Sequence, residues 1–112
     1  MHELSITCGI VDVAALAAKG RKVNRVTVEI GELAGVMSES IAFWFPEVAK
    51  GTPVEAASLE IREIAALARC EACGAEFPTP SILTTCPCGS FRYKRLQGEE
   101  LNVKSIEIEE VF

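Results

Sequence analysis

Cys70-Glu71-Ala72-Cys73-Gly74 is answered further along the chain by Cys86-Pro87-Cys88-Gly89. Two close cysteine pairs offer four thiolates, the donor set that tetrahedral zinc takes. The glycine behind each pair lets the backbone turn tightly beside the sulfurs. The second pair is Cys-x-Cys, shorter by one residue than the common Cys-x2-Cys, so its geometry is less determined. Four clustered thiols in a chain without an export signal argue against a redox disulfide pair. Iron also suits a four-thiolate site, so the spacing leaves zinc ahead of iron without deciding between them. Unliganded core cysteines are the remaining alternative.

The segment that carries these sulfurs, residues 67–98, has few large apolar side chains. They are Leu67, Phe77, Ile82, Leu83, Phe91, Tyr93 and Leu96. A unit of this size cannot hold itself together by burial alone and needs a staple. A metal here is therefore expected to be structural. The segment sets Arg69, Arg92, Lys94 and Arg95 against Glu71 and Glu76, a surplus of two positive charges. Zinc with four thiolates adds about −2, so the module ends near neutral. A nucleic-acid-binding ribbon is expected to keep a basic surplus.

The rest of the chain frames this insert. With 112 residues, 49% of them hydrophobic, one domain with a real core and a small insert is expected. The net charge of −5 disfavours binding to nucleic-acid phosphates. No apolar run is long enough to span a bilayer. Five cysteines without an export signal imply a reduced, cytoplasmic protein. Residues 4–19 read as a helix with Leu4, Cys8, Val11 and Ala15 on one stripe, widened by Ile6, Ile10, Val13 and Ala17, with Ser5 as cap and Gly20 as stop. On that reading Cys8 is a buried core thiol. Residues 23–33 read as a strand, with Val26, Val28 and Ile30 alternating against Arg25, Thr27 and Glu29. One dry face implies a sheet covered by helices on one side. Gly31-Glu32-Leu33-Ala34-Gly35 is a turn. Ser38 is placed to cap a second helix running to about Lys50, shortened or kinked by Pro46, with Phe43 and Trp44 in the packing. Leu59–Ala66 and Leu101–Val111 read as two more strands. The fold class is thus α+β, two helices on a three-stranded sheet, with an inserted zinc-ribbon-like domain. The boundaries are 1–66 and 99–112 for the α+β domain and 67–98 for the insert.

The only histidine is His2. The α-amine of Met1, the backbone nitrogen of His2 and its imidazole can close a five- and a six-membered chelate ring on one ion. The amide must lose its proton, which suits Ni(II) or Cu(II) in a planar nitrogen field and suits zinc poorly. Glu3 can add a fourth donor through its amide or its carboxylate. Such a site is exposed and open, whereas the sulfur site is closed. No Ser-His-Asp set, phosphate loop or carboxylate pair with a base is present, so the chain does not read as an enzyme.

Several segments now join into a pattern. They are Met1-His2-Glu3-Leu4-Ser5, Val28-Glu29-Ile30-Gly31-Glu32-Leu33-Ala34-Gly35-Val36, Gly51-Thr52, the two cysteine pairs with their glycines, and Gly98-x-Glu100-Leu101. Together they resemble the HypA family of nickel metallochaperones, which mature nickel–iron hydrogenases. The resemblance covers nearly the whole chain. It implies Ni(II) as transported cargo bound by Met1, His2 and Glu3, and structural Zn(II) bound by Cys70, Cys73, Cys86 and Cys88. It implies delivery to the hydrogenase large subunit in concert with a HypB-type GTPase, with urease maturation proteins as further partners. Two departures stand out. The second pair is Cys-x-Cys where the family has two intervening residues, which implies strain at Cys86 or Cys88. No histidine lies near the cysteines, which removes a histidine-driven pH switch there. The alternative from another class is a zinc-ribbon adaptor for a protein or nucleic acid, without nickel.

Overall fold

The computed structural model describes residues 3–110. The element order is α1 (Glu3–Ala18), β1 (Val23–Gly31), α2 (Ser38–Val48), β2 (Ser58–Ile64), β3 (Leu67–Cys70), β4 (Glu76–Pro78), β5 (Tyr93–Gln97) and β6 (Leu101–Ile108). The strands form two three-stranded sheets, ordered β2-β1-β6 and β4-β3-β5. The fold is therefore α+β, as the periodicities imply. Two compact units are distinguishable. Within the described residues one comprises 3–29, 36–62 and 102–110, and the other 30–35 and 63–101. The expected insert lies inside the second unit, which also takes in the turn at 31–35.

In the first unit α1 and α2 pack on one another. The core is formed by Ile10, Val11, Ala14 and Ala18 of α1, Val23, Val26 and Val28 of β1, Ile41 and Phe45 of α2, and Ala49 and Val54 beyond it. The alternation of β1 holds, with Val26, Val28 and Ile30 buried. Its wet face is an ion-pair row. Arg25 reaches Glu60 on β2 at 3.8 Å and Glu107 on β6 at 3.5 Å, and Glu29 meets Lys104 at 3.6 Å. These pairs are about half-exposed and add little stability. Thr27, expected on that face, is buried, because β1 is the central strand and neighbours flank it on both sides.

Three local expectations are corrected. The buried stripe of α1 is Thr7, Ile10, Val11, Ala14 and Ala18, so Cys8 is exposed and not a core thiol. The helix is apolar nearly all round, and residue type alone could not choose its inner face. Small residues won: Ala14 and Ala18 allow close approach, while Leu16 stays 80% exposed. Thr7 is tolerated inside because its hydroxyl donates back to the Glu3 carbonyl at 2.7 Å. Neither serine is a cap. Ser5 lies within α1, and Met37 holds the cap position of α2 without a side-chain bond. Finally, Phe43 is 72% exposed and stacks edge-on with Trp44 at 5.2 Å, so this aromatic pair lies largely outside the core. Pro46 sits in the last turn of α2, which ends at Val48, close to the expected end and shortened as the proline implies.

Among the described residues no helix is long and apolar enough to cross a membrane. Ile41 is fully buried, so Ile41→Ala should destabilise the first unit by about 2–5 kcal/mol. Leu16→Ala, on the exposed face, should stay within about 0.5 kcal/mol of the parent. Urea unfolding followed through Trp44 fluorescence checks both.

Candidate metal centre

The second unit has a small interior of Ala68, Cys70, Phe77 and Cys86, with Tyr93 packed against it edge-on to Phe77 at 5.3 Å. Ile82, Leu83 and Phe91 are 77%, 81% and 76% exposed. The apolar content is thus even less available than the sequence suggests, and two of the cysteines are themselves core residues. The sheet is antiparallel, pairing Ala68 with Phe77 on one side and Cys70 with Tyr93 on the other.

Each cysteine pair sits on a tight loop, and the second loop is the first shortened by one residue. The Cys70 N–H donates to the Ala75 carbonyl at 2.9 Å, and the Gly74 N–H donates to the Cys70 carbonyl at 3.0 Å. In the second loop the Cys86 N–H donates to the Ser90 carbonyl at 3.1 Å, and the Gly89 N–H to the Cys86 carbonyl at 2.8 Å. Gly74 and Gly89 have φ of 78° and 92°, where a side chain would be strained. Pro87 occupies the second position of the shortened turn, where its fixed φ is preset. Neither Cys86 nor Cys88 has a positive φ. Pro87 and Gly89 hold the turn positions that the shorter loop needs.

The loops bring the sulfurs of Cys70, Cys73, Cys86 and Cys88 within 4.8 Å of one another. The Cys70–Cys88 and Cys73–Cys86 sulfurs approach to 3.6 Å, and all four cysteines are unbridged. A tetrahedral zinc with Zn–S of about 2.3 Å has sulfurs roughly 3.8 Å apart, so the donor set fits such an ion. The backbone also prepares the sulfurs for negative charge. The N–H groups of Ala72 and Cys73 point at Cys70 Sγ, at 3.3 and 3.4 Å. These are donors that the cysteine spacing does not name, although the glycine behind each pair signals the loop that aims them. Cys86 Sγ receives one such group, from Cys88 at 3.5 Å, since the shortened loop has no second donor to aim.

The consequence is an asymmetric pair of thiols. The Cys73 N–H first, with those of Ala72 and the Cys88 and Cys86 thiols, lowers the Cys70 thiol to about 6 against the opposition of burial. At Cys86 the Cys88 N–H, its largest single influence, pulls downward. Burial and the sulfurs of Cys88, Cys73 and Cys70 outweigh it and push this thiol up to about 12. The last negative charge is resisted until a cation shares it.

Of the N-terminal trio, Met1 and His2 lie outside the described residues. Glu3 opens α1 and is half-buried.

A family model described as "Hydrogenase/urease nickel incorporation, metallochaperone, hypA" matches residues 1–108. The chain belongs to the HypA family. A hydrogenase maturation factor HypA of Nostoc sp. strain PCC 7120 is 48% identical over 111 residues, covering 99% of this chain and 98% of the relative. One from Geobacter sp. strain M21 is 44% identical over 110 residues, covering 97% and 100%. The solution structure of the Ni metallochaperone HypA from Helicobacter pylori superposes with a TM-score of 0.68 at 25% identity, covering 96% of this chain and 97% of that one. A second solution structure of a HypA protein gives a TM-score of 0.70 at 25% identity, covering 97% of both chains. This HypA-family chain thus has the family's fold and a four-cysteine cluster suited to a structural metal.

Loading a divalent metal at pH 8 should release the Cys86 proton. Affinity should fall as pH falls, and more steeply below about 6, where Cys70 also takes up a proton. Titration calorimetry in buffers of different ionisation enthalpy, repeated across pH, checks both.

Proposed function

We propose that this protein carries Ni(II) at its N-terminus and delivers it to the large subunit of a nickel–iron hydrogenase. In this reading Met1 supplies its amine, His2 its backbone nitrogen and imidazole, and Glu3 a further donor. Zn(II) at Cys70, Cys73, Cys86 and Cys88 keeps the second unit folded. The domain from 1–66 and 99–112 handles nickel, and 67–98 is the zinc module. The protein acts in the cytoplasm as a carrier without catalysis of its own, with a HypB-type GTPase as partner. Urease maturation proteins are a second set of recipients.

The observation that carries the proposal is the family match, which begins at residue 1 and so includes Met1-His2-Glu3. Chemistry adds to it. Delivery needs a site whose ligands can be exchanged one at a time, and a chelate of an amine, an amide nitrogen and an imidazole meets that need. The sulfur cluster does not, because Cys70 and Cys86 are buried and their release requires the loops to unwrap. Nitrogen-rich donors also suit Ni(II), whereas four thiolates suit zinc.

His2→Ala should abolish stoichiometric nickel binding in equilibrium dialysis and leave one zinc per chain by elemental analysis. An N-terminal extension, which removes the free amine, should act in the same way. A variant that holds nickel as tightly as the parent would refute the assignment. Stripping zinc with a strong chelator should expose the amides of the 70–92 region to hydrogen exchange while the helical signal of the first unit persists.

A further inference from the structure

The turn at Gly31–Gly35 does more than reverse the chain. The Glu32 N–H donates to the Ile64 carbonyl at 2.8 Å, and the Leu33 N–H to the Gly98 carbonyl at 2.7 Å. The Gly31 N–H donates to the Glu100 carbonyl at 2.7 Å. Residues 64–66 and 98–100 are the two ends of the segment that carries the sulfurs, so one short turn grips both. Two carboxylates complete the grip. Glu32 Oε1 accepts the Ala66 N–H at 2.8 Å, and Glu100 Oε1 accepts the Gly98 N–H at 2.7 Å.

The packing at this base admits no side chain. A Cβ on Gly31 would overlap the Gly98 carbonyl group. Gly98 has φ of 119°, and a Cβ there would meet Ala66 Cα at 2.5 Å. Ala66 is only 1% exposed. Without the Glu32 carboxylate its N–H would be a buried donor with no acceptor, which is costly.

We infer that Glu32 is a positioning residue for the sulfur cluster, a latch that closes the base of the metal-bearing segment. Glu32 touches no sulfur. With the base shut, the chain between Ala66 and Gly98 is already a closed loop, and the entropy of bringing its two cysteine pairs together is partly met in advance. Without the carboxylate, the base is held by the backbone bonds and the β3–β5 pairing alone, the thiols are gathered from a wider ensemble, and the ion escapes sooner. The inference rests on the zinc reading proposed above.

The test uses the full chain loaded with zinc. Glu32→Ala removes the acceptor, whereas Glu32→Gln keeps an amide oxygen in its place. Zinc release to a chromophoric chelator and hydrogen exchange at the Ala66 and Gly98 amides are measured for each. Glu32→Ala should release zinc roughly tenfold faster than the parent and lose protection at Ala66. Glu32→Gln should restore both to within about threefold of the parent. Gly98→Ala, which forces the base open by packing, should release zinc as Glu32→Ala does. A lowered melting temperature in Glu32→Ala with zinc release at the parental rate overturns the latch. So does retained Ala66 protection in Glu32→Ala. A parent chain that holds no zinc sinks the zinc reading together with the latch. A parent that holds zinc beside a Glu32→Ala variant releasing it at the parental rate sinks the latch alone.

Discussion

Four sulfurs drawn within 4.8 Å of one another impose a charge problem on the second unit. Two thiolates about 4 Å apart repel by about 4 kcal/mol at an effective dielectric near 20. The chain answers in two ways. It aims backbone N–H groups at Cys70, which accepts negative charge readily, and it leaves Cys86 buried among the other sulfurs, where charge is resisted. A divalent cation removes the conflict at once. The same ion would supply cohesion that Ala68, Phe77 and Tyr93 are too few to provide. In the zinc reading proposed above, folding of this unit and occupancy of its site are linked.

That coupling explains why a carrier would keep two kinds of site. An ion on which folding depends cannot be passed on without unfolding the unit that holds it. A transferable ion has to sit where its loss costs no structure. In the proposed function Met1, His2 and Glu3 form that second site, whose nitrogen donors suit Ni(II). In the proposed function the donors differ for the same reason: thiolates held in loops resist exchange, and the proposed nitrogen donors of Met1 and His2 permit it.

How far the fold was legible depended on what each feature needs. The cysteine pairs and their glycines state their loops outright, because the turn, the donors and the sulfurs all lie within a few residues. The alternation of Val26, Val28 and Ile30 fixes the dry face of β1 because period two leaves no choice of face. The orientation of α1 was not legible. Leu4, Ile6, Cys8, Val13 and Leu16 surround a helix with too few polar residues to mark its outer side, and close packing chose Ala14 and Ala18 instead. Caps failed for a related reason. Ser5 and Ser38 have the right chemistry, but the first turn forms where the tertiary framework places it. The latch at Glu32 was hidden because its partners lie far along the chain, and a glycine-rich turn looks the same whether it is free or gripping the ends of a distant segment.

The pair at Cys86 shows how local chemistry accommodates a loop one residue shorter than the one at Cys70. Removing one residue from a cysteine loop takes away one N–H donor and threatens the backbone with strain. Pro87 presets the turn and Gly89 accepts the left-handed conformation, so geometry survives. The lost donor is not replaced. Cys86 Sγ keeps a single N–H at 3.5 Å where Cys70 Sγ has two. The shorter loop thus preserves the shape of the site and shifts its electrostatics. Of the two buried sulfurs, Cys86 is the one whose charge the backbone stabilises less and whose ionisation relies more on the ion itself.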